Sequence, residues 1–189
     1  MRLTPVHGRS QTREYGNLRS LIRQYVTARG HYAQSLANYL NDIGSRPLSK
    51  DGGFLSLLRQ AARNDAVMRE VQDRFFEQRY FAPAMEWATE NGFKLPLSAL
   101  VIYDSFIHSG SMLWAIRGSF PERPPAAGGE ERTWVVAYVK ARHRFLAGHA
   151  REIVRRTTYR TECLAREIGR ENWKLQRLPI VANGVGVAG

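Results

Sequence analysis

Apolar residues recur along most of this chain at the three- and four-residue spacing of a helix face. Leu18, Leu21, Ile22, Tyr25 and Val26 form one such face, and Gly30 stands where a C-terminal cap would close it. Tyr32, Leu36, Tyr39 and Leu40 predict a short helix ending near Gly44. Residues 45–53 are rich in turn formers and read as a connector. Phe54, Leu55, Leu57, Leu58, Ala61 and Ala62 predict a third helix. Asp65 is placed to N-cap a long fourth one carrying Val67, Met68, Val71, Phe75 and Phe76. Pro83 kinks or restarts that helix, which Met85, Trp87 and Ala88 continue to Asn91-Gly92. Pro96 suits the first turn of the next, because its missing N–H is not needed there. Residues 118–129, with Pro121, Pro124 and Pro125, predict a surface loop, and helices follow over about 130–149 and 150–168. The Gly- and Val-rich tail after Pro179 predicts a short strand or an extended end. There is no internal repeat and no strong strand alternation. The fold class read from this pattern is all-α: one domain, with a small helical part to about residue 50 and a larger helical part over 51–189.

Composition changes this picture in one respect. A chain of 189 residues with 43% hydrophobic and 24% charged residues is an ordinary globular domain. A net charge of +11 is not ordinary, and favours anionic partners such as nucleic acid, a bacterial cell wall or an acidic membrane surface. The single cysteine, Cys163, excludes an internal disulfide and a cysteine-based metal site. No run is long and apolar enough to span a bilayer, and Met1-Arg2-Leu3-Thr4-Pro5-Val6-His7-Gly8 lacks the apolar core of a signal peptide.

The candidate chemistry begins in the apolar helix Val101-Ile102-Tyr103-Asp104-Ser105-Phe106-Ile107-His108. A carboxylate in such a run is costly to bury unless a cation meets it. Two later helices each offer an arginine in a sheltered place: Arg142, after Tyr138-Val139-Lys140-Ala141, and Arg160, before Thr161-Glu162-Cys163-Leu164. One acid and two arginines on three helices predict a buried ionic network, which either supports an active site or is purely structural. His108 shares a helix face with Asp104 by i, i+4 spacing, as a packed histidine or a cleft residue. No second ligand stands near it, so neither a metal nor an organic cofactor is expected. Tyr80, Phe81, Trp87 and Trp134 fall at helical spacing and read mostly as core. Ser10 lies in nothing resembling a nucleophile elbow.

At these residues the chain resembles the chitosanases of glycoside hydrolase family 46, a branch of the lysozyme-like superfamily. Arg79-Tyr80-Phe81-Ala82-Pro83-Ala84 resembles the family's Tyr-Phe-Asp-Pro-Ala segment, and Ile102 to Gly110 its Tyr-Tyr-Asp-x-x-x-x-His-Gly helix. Gly128-Gly129-Glu130-Glu131-Arg132-Thr133-Trp134, leading to Ala141-Arg142, resembles its Gly-Gly-x-Glu-x-x-Tyr block and Ala-Arg pair. Thr158-Tyr159-Arg160 before Cys163-Leu164 resembles its Arg-x-x-x-Leu segment, and Gly16-Asn17-Leu18 a Gly-Asp-Met/Leu helix opening. The resemblance implies a two-lobed, lysozyme-like helical fold and inverting endo-hydrolysis of a β-1,4-linked amino-sugar polymer, without cofactor, by a secreted monomer. It implies that Asp104, Arg142 and Arg160 form a network behind an acid glutamate. It implies that Thr4 positions the attacking water and that Asn17 stands at an aspartate position of the sugar site; Tyr103 is a candidate to stack against sugar, and His108 and His7 are candidates to line the cleft, with His7 otherwise a solvated turn residue.

The chain departs from the family in two ways. The family's acid glutamate and base aspartate precede the threonine position, so both are expected upstream of Met1, in a segment that would also hold a signal peptide. The alternative is a relative that binds sugar without cutting it. Moreover, Asn17 replaces the family's aspartate, and a charge of +11 repels a polycation such as chitosan. An N-acetylated or anionic polymer such as peptidoglycan is therefore expected before chitosan. A function of a different class, binding of nucleic-acid phosphates, is suggested by Arg151, Arg155, Arg156, Arg160, Arg166 and Arg170. Interspersed Glu152, Glu162, Glu167 and Glu171 favour a solvated face instead.

Overall fold

The computed structural model describes residues 7–187, with side chains from residue 16 onward. The chain divides between Glu77 and Gln78 into two compact units. In the first, α1 (His7–Thr27), α2 (Ala33–Ala37), α3 (Gly52–Asn64) and α4 (Ala66–Phe76) surround a core of Ile22, Tyr25, Leu36, Ile43, Phe54 and Met68. Ile22 and Tyr25 are fully buried, as the spacing of their helix face predicts. The connector over residues 45–53 lies inside this unit, because Leu48 within it and Phe54 just after it are both buried in that core.

Side-chain caps set two of the helix starts. Asp51 accepts from Phe54 N at the start of α3, and Asp65 accepts from Val67 N at the start of α4, each satisfying an otherwise orphaned donor. Two local expectations are corrected. Helix α1 is described over His7–Thr27. Arg29, not Gly30, takes the left-handed conformation beyond it. Gly30 is needed for a different reason: a β-carbon there would overlap the Tyr25 ring. Finally, α2 stops at Ala37, and turns rather than helix carry the chain to Gly44, which has φ of 87°.

The second unit opens with the restart predicted at Pro83. A π-helical turn over Glu77–Phe81 leads into α5 (Ala82–Glu90), with the proline in its first turn. Next come α6 (Pro96–Ser109), α7 (Trp114–Arg117), α8 (Glu131–Ala147), α9 (Glu152–Arg155) and α10 (Tyr159–Gly169). The helix expected over 150–168 is thus two, separated by Arg156-Thr157-Thr158, where the Thr157 hydroxyl donates to the Val154 carbonyl (2.6 Å). Such side-chain bonds compete with helix continuation. The tail forms an antiparallel hairpin of β1 (Ile180–Ala182) and β2 (Val185–Val187). Its turn residues Asn183 and Gly184 both have positive φ, as a type I′ turn requires.

An aromatic core holds this unit together. Trp134, fully buried, stacks on Tyr138 with ring centres 5.1 Å apart and touches Phe93 and Phe120 edge-on. Phe120 lies in the segment expected to be a surface loop, yet is 9% exposed. Arg117 pins that segment by donating to the carbonyls of Phe120 (3.1 Å) and Glu122 (2.7 Å). No helix among the described residues is long and apolar enough to cross a membrane.

Candidate active site

Helix α6 is apolar on the side that packs into the core, through Leu97, Val101, Ile102 and Phe106. Asp104 stands at the margin of that face, with 17% of its side chain exposed. Arg142 arrives from α8 with 1% of its side chain exposed, and Arg160 from the first turn of α10 with 21%. Asp104 Oδ2 accepts from Arg142 Nη1 at 2.6 Å, and Oδ1 from Arg160 Nη2 at 2.5 Å. Each carboxylate oxygen thus has its own guanidinium, and one acid ties three helices together. Burial works against the charge on Arg160, but the bond to Asp104 raises its pKa further. The Nε–H groups of Arg142 and Arg160 are buried with no hydrogen-bond partner among the described residues.

Two further contacts align the arginine-bearing helices. His143, next to Arg142, shares a hydrogen bond of 2.9 Å between its Nδ1 and the hydroxyl of Thr161, next to Arg160. Tyr138 donates to Ser105 (2.9 Å), one residue from Asp104. The signal for both was adjacency in sequence to the charged triad, which periodicity alone does not reveal.

His108 belongs to the same neighbourhood. Burial pushes its imidazole from the usual 6.5 down to about 4, aided by the positive charges of Arg142 and Arg160 and opposed by Asp104. Its Nδ1 is enclosed without a partner among the described residues. Between about pH 6.5 and 4 the unfolded chain binds a proton that the folded chain does not, so stability falls as pH drops through this window. Wild type is expected to lose about 1–2 kcal/mol more than His108→Gln between pH 7 and 4.5, after allowance for solvent around a half-buried ring. Urea melts of both proteins at the two pH values measure this difference, and equal losses would refute it.

Of the other expected site residues, Tyr103 is half-buried on α6 and meets Phe81 edge-on, with centroids 5.3 Å apart. Phe81 is 40% exposed, which corrects its assignment to the core. The π-helical turn shifts the helix register there and turns the ring outward. Asn17 is half-buried on α1, in the first unit. His7 is the first residue of α1, and Thr4 lies outside the described residues. The structure therefore brings Asp104, Arg142, Arg160 and His108 together in the second unit and carries Asn17 in the first. Among the described residues no three His, Cys, Asp or Glu side chains gather as a metal ion would require.

Five of the six arginines suspected of forming one nucleic-acid face have separate partners. Arg155 donates to the carbonyls of His149 and Ala150, Arg156 pairs with Glu152, Arg166 donates to Val181 O, and Arg170 pairs with Glu167. Arg160 is turned inward to Asp104.

The second unit thus gathers helices around an acid held by two arginines, and comparison with known proteins gives its family. The model of glycosyl hydrolase family 46 matches residues 11–180. The chain belongs to glycosyl hydrolase family 46. It resembles the Gynuella sunshinyii family 46 chitosanase solved with chitotetraose, with a TM-score of 0.75, 25% identity, and coverage of 91% of this chain and 78% of that one. It also resembles native chitosanase from Bacillus subtilis MY002, with a TM-score of 0.73, 21% identity, and coverage of 92% and 80%. A chitosanase designated OU01, solved with substrate, gives a TM-score of 0.74 at 19% identity, with coverage of 92% and 76%. No curated protein matches the chain in sequence.

Proposed function

We propose that this protein hydrolyses a β-1,4-linked amino-sugar polymer of the chitosan type by an inverting, general acid/base mechanism. The observation that carries the reading is the Asp104–Arg142–Arg160 network in a family 46 chain. Inversion needs one carboxyl to protonate the leaving oxygen and a second to activate water on the opposite face of the ring. Asp104 is not itself the acid in this scheme, because both of its oxygens are held by guanidinium groups. Its role is to hold Arg142 and Arg160, whose buried Nε–H groups are suited to orient a neighbouring carboxyl. Asp104 also offsets part of their positive charge, so that the acid keeps its proton long enough to deliver it. By family resemblance, a glutamate serves as the acid and an aspartate as the base. Thr4 would position the water, and the Phe81–Tyr103 pair offers a ring surface to a sugar.

The test uses the protein as its native source makes it, with partly acetylated chitosan, followed by proton NMR of the newly formed reducing ends. Inversion is expected to give the α-anomer first, whereas the β-anomer first would overturn the mechanism. Arg160→Lys, which keeps the charge but loses the planar fork, is expected to lower kcat about 10- to 100-fold by misplacing the acid, with KM nearly unchanged. An unchanged kcat would remove the network from the mechanism.

The net charge favours a second reading of the substrate within the same chemistry. At +11 the protein repels a fully deacetylated chitosan, so an N-acetylated or anionic polymer should be preferred at low salt. Faster cleavage of fully deacetylated chitosan than of acetylated chitosan or peptidoglycan would refute this preference.

A further inference from the structure

We propose that an open groove along the exposed face of α8 binds an acidic oligosaccharide, a few sugars long and bearing carboxylates, at a site distinct from the Asp104 network. The groove has a volume of about 630 Å³, within the range of roughly 300–1,000 Å³ common for small-molecule sites. The walls come from α8, from the Phe120-Pro121-Glu122 segment, and from Ile168, Glu171 and Trp173 at and beyond the end of α10. None of Asp104, His108, Arg142 or Arg160 lines it.

Three cations line the groove from α8. Arg132, Lys140 and Arg144 fall on one stripe of the helix with Val136 between them, successive stripe positions being roughly 6 Å apart. Arg132 is partly neutralised, since it lies over the Trp173 ring (5.1 Å) and reaches Glu171 at 3.4 Å. Lys140 and Arg144 are exposed, and among the described residues neither has a carboxylate within salt-bridge distance. Like charges four residues apart on a helix repel, so this pair costs stability until an anion bridges it. Val136 and Ala137, half-buried on α8, supply apolar surface between the cations, while Trp173 and Phe120, which also line the groove, are almost wholly buried.

Glu122 selects a sugar over a nucleic acid. One of its carboxylate oxygens is enclosed without a hydrogen-bond partner among the described residues, at the margin of the groove. Glu122 stands as an acceptor for a sugar hydroxyl while the sugar's carboxylate meets Lys140 and Arg144. A DNA backbone, by contrast, has no donor to offer such an acceptor. The groove thus combines donors and an acceptor in the way an acidic saccharide does. This inference rests on the carbohydrate reading above only for the class of polymer. In an enzyme acting on acidic wall material, the groove would hold a second stretch of chain and raise the local concentration of substrate.

Titration with trigalacturonate, followed by amide NMR and calorimetry, tests the proposal without requiring hydrolysis. Saturable shifts are expected on α8 and near Glu171 and Trp173, and not in α1 to α4. Lys140→Glu with Arg144→Glu is expected to weaken binding at least tenfold. The charge-matched pair Lys50→Glu with Arg59→Glu, on exposed sites of the first unit, should change it less than twofold. Glu122→Ala should weaken binding by removing the acceptor. An equal loss in the two charge-reversal pairs would reduce the effect to net charge and overturn the site. Tighter binding by Glu122→Ala, or equal competition by a DNA oligomer, would overturn the choice of a sugar. Hydrolysis without trigalacturonate binding sinks this inference alone, while binding without hydrolysis sinks the catalytic reading alone.

Discussion

Replacing Asp104 by alanine is expected to destabilise the protein by about 3–5 kcal/mol, the usual penalty for removing one partner of a buried ion pair. The magnitude comes less from the lost attraction than from what remains. Arg142 has 1% of its side chain exposed, so its guanidinium cannot turn to water, and its Nε–H already lacks a partner among the described residues. Arg160, at 21% exposure, can recover part of its hydration, which places the burden on Arg142. For a chain of this length the loss corresponds to roughly 10 °C in Tm. Differential scanning calorimetry measures it, and a Tm within a degree or two of wild type would show that Arg142 is satisfied without Asp104. A companion variant separates stability from chemistry. Asp104→Leu with Arg142→Met and Arg160→Leu removes all three charges, and is expected to fold with stability near that of wild type. It should have no hydrolytic activity, because a carboxyl cannot be oriented by methyl groups. A triple variant that retains activity would leave the network without a catalytic role.

The second large effect is expected at Asp65, in the other unit. Oδ1 caps α4 through Val67 N (2.9 Å), and Oδ2 accepts from the Tyr25 hydroxyl (2.5 Å) and from His31 N (2.7 Å). The Tyr25 hydroxyl in turn accepts from Tyr32 N at 2.9 Å, so one carboxylate secures α1, the turn after it and α4. The hydrogen bond from Tyr25 holds the Asp65 carboxyl below its ordinary value against the opposing effect of burial. Burial, with the bond to Asp65, pushes the Tyr25 hydroxyl up to about 12. Asp65→Ala loses a helix cap, worth about 1 kcal/mol. It also strands the buried tyrosine hydroxyl at a further cost of about 1–3 kcal/mol. A total near 3 kcal/mol is expected, read from native-state amide exchange in α1 and α4. Because the folded pKa is depressed, this stabilisation is complete above the ordinary carboxyl value of 3.8 and disappears as pH falls below it. Asp65→Ala should therefore lose less stability than wild type on acidification. Equal acid sensitivity would show that Asp65 titrates normally.

Helix existence was legible from periodicity, but helix ends were less so. Asp65 as a cap, Pro83 as a restart and Pro96 as a first-turn residue were readable because each acts through the backbone within a few residues. Gly30 was misread, because its necessity comes from a ring packed against it and not from its own φ. Phe81 was misread for a related reason: a π-helical turn breaks the 3.6-residue period on which the burial argument rests. The break at Arg156-Thr157-Thr158 depends on a threonine hydroxyl choosing a backbone carbonyl, a competition that residue type alone leaves open.

The sequence by itself determined the helical class, the family and the charged triad. Each of these is written in local patterns: apolar spacing, ordered motifs, and ionisable residues placed where burial would be costly without partners. Only the tertiary structure decided that each Asp104 oxygen takes a different arginine, that His108 sits beside both and is held neutral, and that Lys140 and Arg144 face a groove. The reason is physical. Distances between side chains 38 and 56 residues apart are set by how helices pack, and the strength of a charge is set by the water that packing removes.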